Sequence, residues 1–148
     1  MPSGKAILIG EGGERGRSDD PRVRALIECE STLVLATAMD DGSPIATPLF
    51  YYPDAELNLY WLSSPESRHS RNLSVRRRVA VAVFAAVTDW REIRGVQMEG
   101  TASPVCDDAI LAAYRLRFGL GAELDAIIAR STVYVFRPEW WRYIDSLS

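Results

Sequence analysis

The sequence predicts a mainly β protein with flanking helices, closed as a six-stranded antiparallel barrel. Three observations predict it. Apolar, β-branched segments recur with turn residues between them, as in sequential hairpins. Helical periodicity is confined to a few short stretches, so the helix that must follow each strand of a doubly wound parallel sheet is missing. No internal repeat of roughly 20–50 residues is present, which excludes solenoids and propellers. Closure into a barrel then removes the exposed edges that such a sheet would carry.

Each element follows from local chemistry. Asp20-Pro21 reads as an N-cap and first helical residue, with Val23, Leu26 and Ile27 on one face of a helix ending near Glu30. TLVLATAM (32–39) and PIATPLFYY (44–52) are strands joined by the turn residues Asp40-Asp41-Gly42-Ser43. Pro53 to Glu56 makes the next turn, and LNLYWLSS (57–64) returns as a third strand. Ser67 is placed to cap a short helix from Arg68 to Val75. RRVAVAVFAAV (77–87) and IRGVQMEGTASPV (93–105) are the fourth and fifth strands, with Gly95 and Gly100 marking bends or close backbone approach. Ile110, Tyr114 and Phe118 recur at i, i+4, i+8 after Asp107-Asp108, and Gly119 stops that helix. A further helical turn or two spans Ala122 to Ala129, and TVYVFRPEWWRYI (132–144) is the last strand. Trp140 and Trp141 must point to opposite faces of it, so at most one lies inside the barrel.

Composition bounds the function. A chain of 148 residues accommodates one domain with a real core, here residues 20–148. Residues 1–19, with five glycines among charges, read as a loosely held arm. GEGGERG within it is not a dinucleotide loop, because Arg15 stands where the fingerprint needs glycine. Hydrophobic residues at 47% and a net charge of −3 fit an ordinary globular protein. Cys29 and Cys106 are too few for a four-thiolate zinc site or a disulfide scaffold, and no HExxH or paired His/Cys spacing offers a metal site. The longest apolar run, Val79 to Val87, is far short of a membrane span, and no secretion signal is evident, so a cytoplasmic setting is expected.

Arg68, Arg71, Arg76, Arg77 and Arg78 form the sharpest anomaly: five of the 17 basic residues, with no acid among them. Arg68 sits at a helix start beside Ser63, Ser64 and Ser67, where guanidinium, hydroxyls and backbone N–H groups all favour an anion. Arg76 to Arg78 read as a solvated face, and a nucleic-acid surface is not expected from so small a footprint. His69 is the sole histidine; without a GxSxG elbow it either hydrogen-bonds locally or touches a ligand. No catalytic side chain is identified. The aromatic residues are mostly core or dimer contacts, with Trp90 or a C-terminal tryptophan able to frame a ligand pocket.

Taken together, LATAMDDGSPIATPLFYY, LYWLSSPESRHSRNL, RVAVAV and IRGVQMEGTA resemble the pyridoxamine 5′-phosphate oxidase-like FMN-binding split barrels, in particular their small uncharacterised bacterial branch. The resemblance covers roughly residues 22–105. It implies a split barrel of the FMN-binding type and a homodimer with FMN at the interface. It also implies cofactor contacts from Thr47, Pro48, Leu49 and Phe50 along the flavin ring, and from Leu62, Ser63 and Ser64 at the ribityl and phosphate end. Arg68 would hold the phosphate, His69 stands where the oxidases usually carry Lys, and Gln97 resembles a residue that reaches the ring. Relatives hold deazaflavin or haem instead, or have no demonstrated cofactor, so the alternative expectation for this chain is a non-catalytic dimeric split-barrel module that binds another phosphorylated ligand, deazaflavin or similar, or haem. The C-terminal Arg-x-His element of the true oxidases is absent, so pyridoxamine phosphate oxidation itself is not expected.

Overall fold

The computed structural model describes residues 20–147, so the expected N-terminal arm and its glycine-rich stretch lie outside the described residues. Seven strands and four α-helices follow in chain order: α1 (Pro21–Cys29), β1 (Thr32–Ala38), β2 (Pro44–Phe50), β3 (Tyr52–Pro53), β4 (Leu59–Ser63), α2 (Arg68–Val75), β5 (Arg78–Phe84), β6 (Arg94–Val105), α3 (Asp108–Phe118), α4 (Asp125–Ala129) and β7 (Thr132–Asp145). The caps are those the sequence predicts. Asp20 accepts from the Arg22 N–H and Ser67 from the Ser70 N–H, while Asp107 accepts from the Ile110 N–H and Gly119 ends α3 in the left-handed region.

All strands belong to one antiparallel sheet in the order β2-β1-β5-β6-β7-β4-β3. Its two outermost strands, β2 and β3, are neighbours in the chain, separated only by Tyr51. A sheet whose two edges are one residue apart must curl onto itself, which is the barrel. The count of seven corrects the expected six, because the second predicted strand breaks at Tyr51. That residue is fully buried; its hydroxyl donates to the Ile27 carbonyl at 2.7 Å and its N–H to the Ser31 carbonyl at 3.1 Å. The second bond continues the β1 register by one rung, the first anchors the ring under α1, and from Tyr52 onward the chain pairs with β4 instead. Tyr51→Phe leaves the Ile27 carbonyl without this partner, so a loss of about 1–2 kcal/mol is expected in urea unfolding, with an unchanged m value.

Register sorts the side chains into two faces. Leu33, Leu35, Val81, Val83, Val96, Met98 and Trp141 point inward and join Trp61, Leu59 and Phe136 in the core. The opposite face of β2, β1, β5 and β6 carries Ala46, Pro48, Val34, Ala36, Ala80 and Ala82, a carpet of small apolar side chains that ends at Gln97, Glu99 and Trp140. Trp141 is thus the interior tryptophan and Trp140 the outer one. No helix among the described residues is long and apolar enough to cross a membrane.

Candidate functional site

The corner where β4 ends and α2 begins gathers four of the expected residues. Ser63 closes β4, Ser64 starts the turn, and Arg68 and His69 occupy the first turn of α2. Ser67 holds the corner together. Its hydroxyl donates to the Ser64 carbonyl at 2.8 Å, lies 2.7 Å from the Ser70 hydroxyl, and caps the helix. His69 packs against this network, with Nε2 at 2.9 Å from Ser63 Oγ and 3.2 Å from Ser67 Oγ. Ser63 and His69 are only 8% and 9% exposed.

Burial holds the imidazole below its ordinary pKa of 6.5. Without a ligand beside it, His69 is therefore neutral at pH 7. An unfolded chain takes up this proton near pH 6.5 while the folded one does so only at lower pH. The contribution to stability is thus complete above about pH 6.5 and is lost as pH falls toward the lowered folded value. Urea midpoints measured at descending pH should fall for the wild type more steeply than for His69→Gln.

Arg68 is exposed and lines a cleft of about 580 Å³ between α2 and the β1–β2 turn, together with Met39, Asp40, Asp41, Glu66 and Arg71. Its carboxylates are largely engaged. Glu66 pairs with Arg71 at 2.9 Å, Asp40 with Arg76 at 3.1 Å, and Asp41 accepts from the Ser43 N–H, which lowers its pKa. Arg78 reaches Glu139 at 2.6 Å. The arginine run is therefore mostly spent on exposed ion pairs, each worth little to stability. Among the described residues the Arg68 guanidinium has no carboxylate partner, unlike Arg71 in the same cleft.

The remaining expected residues divide. β3 pairs with Leu59 and Tyr60 only, so Trp61 to Ser63 have no strand neighbour on that side, and β2 is likewise an unpaired edge. β2 and β4 nevertheless approach each other, which makes this gap the split of the barrel. Thr47 and Leu49 face inward and are half-buried, opposite Leu35 and Leu33, whereas Pro48 and Phe50 face outward. Phe50 stacks on Phe118 of α3, ring centroids 4.6 Å apart at 21°, and α3 packs against β3 and β4. One end of the split is thus filled by α3, a role the periodic Tyr114 and Phe118 announce in sequence only as an apolar helix face. Gln97 stands apart on the outer face. It lies in the cross-strand row Pro48–Val34–Ala82–Gln97, three strand spacings from Pro48, roughly 14 Å. Sequence reading also missed Asn72, whose side chain donates to the buried Thr37 hydroxyl at 3.1 Å and ties α2 to β1.

A family model described as pyridoxamine 5′-phosphate oxidase matches residues 19–145, nearly the whole described chain. The chain belongs to the pyridoxamine 5′-phosphate oxidase family. Solved structures agree on the fold of this family member. The conserved hypothetical protein Rv2991 from Mycobacterium tuberculosis superposes with a TM-score of 0.76 at 18% identity, covering 93% of this chain and 91% of that one. HutZ, the heme storage protein of Vibrio cholerae, gives 0.70 at 21% identity over 85% and 93%. A FAD-binding protein from Mesorhizobium loti gives 0.63 at 22% over 85% and 94%. A search of curated proteins finds no significant match. At these identities the family member shares an architecture with its neighbours, and its chemistry has to be argued from its own residues.

Proposed function

We propose that the protein binds FMN and works as an FMN-dependent oxidoreductase, with the flavin held between two copies of the chain. The observation that carries this reading is Arg68, a guanidinium without a carboxylate partner beside the serine-rich start of α2. This donor set fits a phosphate monoester: a planar cationic fork and the hydroxyls of Ser63 and Ser64. Thr47 to Phe50 along the open edge of β2 would run beside the ring system. The flavin, when bound, supplies the electron or hydride transfer. The chain's own residues bind the phosphate, orient the ring and exclude water.

The second copy follows from the outer face. Ala36, Ala46, Ala80 and Ala82 form an apolar, low-relief surface on which another sheet can approach closely, and Gln97 lies on it, away from Arg68 of its own chain. A twofold pairing over this face would let Gln97 contribute to a site shared by both chains.

Haem is the second reading, because HutZ is a heme storage protein. The sole histidine weighs against it: Nε2 of His69 is buried against two serines, and ligation through it would require breaking both contacts. A phosphorylated ligand other than FMN, deazaflavin cofactors included, would use the same arginine. The deciding experiment is an absorbance spectrum of the purified protein followed by parallel titrations with FMN, riboflavin and haem. Saturable quenching of FMN fluorescence at one flavin per chain, tighter than for riboflavin, is the expected result. A Soret band with no response to FMN would replace it by the haem reading.

A further inference from the structure

The buried hydroxyl of Ser63 leads beyond the flavin reading while resting on it. Its hydrogen-bond contact among the described residues is Nε2 of His69, and which atom donates is decided one residue further along the network. Ser67 has a single hydroxyl proton. It points to two acceptors, the Ser64 carbonyl at 2.8 Å, which also accepts from the Ser67 N–H, and the Ser70 hydroxyl oxygen at 2.7 Å. Both are closer than Nε2 at 3.2 Å, and the Ser67 oxygen itself accepts from the Ser70 N–H, so Ser67 has no proton to offer the ring. A bare Nε2 lone pair would face the lone pairs of Ser67, whereas an Nε2–H satisfies both serines as a donor, Ser63 above all.

We infer that His69 is a positioning residue: its Nε2–H donates to Ser63 Oγ, holds that hydroxyl in place and leaves its proton free to donate to a phosphoryl oxygen of the ligand. The histidine thus acts through the serine, where a lysine would act on the anion directly. In this arrangement Ser63, only 8% exposed, keeps a hydroxyl proton with no acceptor among the described residues. That is an unfavourable state for a buried donor unless a ligand oxygen accepts it. The opposite tautomer would consume the Ser63 proton on the ring and leave the site one donor short.

Because the chain has a single histidine, a long-range ¹H–¹⁵N NMR spectrum of the full-length protein without ligand reports its tautomer directly, with no assignment ambiguity and no variant that must fold. The expected spectrum shows a pyrrole-type Nε2 and a pyridine-type Nδ1. A pyridine-type Nε2 overturns the inference and leaves the flavin reading standing. Two variants then test the donation. His69→Gln, which still offers an N–H, should keep most of the preference for FMN over riboflavin, while His69→Leu and Ser63→Ala should each reduce it about tenfold. Equal loss in the glutamine and leucine variants also overturns the positioning role. A wild-type protein that binds FMN no better than riboflavin would instead overturn the phosphate site itself, whatever the tautomer.

Discussion

Replacing Arg68 by alanine is expected to weaken FMN binding by about 1.5–3 kcal/mol, the range for charge-assisted hydrogen bonds, or roughly 10–150-fold in Kd. The same substitution should leave the unfolding midpoint of the ligand-free protein in place. Both expectations come from one fact: among the described residues this exposed guanidinium has no carboxylate partner, so removing it strands no charge. Riboflavin, which lacks the phosphate, should bind wild type and variant alike. Arg68→Lys should recover only part of the lost affinity, since an ammonium supplies the charge without the two-pronged donor geometry. Isothermal titration with both ligands, alongside a thermal melt, separates these effects. FMN affinity that is unchanged in Arg68→Ala would remove the arginine from the site.

Gly100→Ala should be the most damaging small substitution in the barrel, costing about 3 kcal/mol, or roughly 10 °C in Tm for a chain of this size. Gly100 sits at the β-bulge where the register of β6 on β7 skips from Trp140 to Pro138. A Cβ there would run into the Arg137 carbonyl, with its carbon at 2.9 Å and the Pro138 Cα at 3.0 Å. These are backbone atoms of a paired strand, so nothing flexible can move aside. Gly119 is the control. It has φ +62° at the end of α3 with open space around it, and alanine there meets only the local cost of the left-handed region, about 1 kcal/mol. Thermal melts of the two variants at equal concentration should therefore separate widely, and similar melts would mean that the bulge relaxes.

Local chemistry was legible and long-range pairing was not. Asp20-Pro21, Ser67 and Asp107 with Gly119 declare the ends of three helices because capping acts within a few residues of the chain. The break at Tyr51 could not be read from FYY, whose β propensity runs straight through it. It falls where the Tyr51 side chain is buried and anchored on the Ile27 carbonyl, which lies far back along the chain. Likewise the arginine cluster is visible in sequence, but its partners are not. Arg76 finds Asp40 and Arg78 finds Glu139 only because the sheet folds them together, so most of the apparent positive patch is paired. The grouping of the proposed anion corner was legible, since Ser63, Ser64, Ser67 and Arg68 are close in sequence. The burial of His69 was not, because a lone histidine carries no pattern that distinguishes a sealed ring from an exposed one.

The order of the strands also has a temporal side. β7, residues 132–145, is the strand that inserts between β6 and β4. Until it has been synthesised, β4 has no strand partner except the two-residue β3. β2, β1, β5 and β6 can assemble by pairings already available to the growing chain, whereas the segment leading into the anion corner is fastened to them only at the end. On the ribosome the β4 side of the proposed ligand corner is therefore fixed last, and a stalled or truncated chain lacking β7 exposes the edge of β6 to aggregation rather than yielding a weaker version of the finished protein.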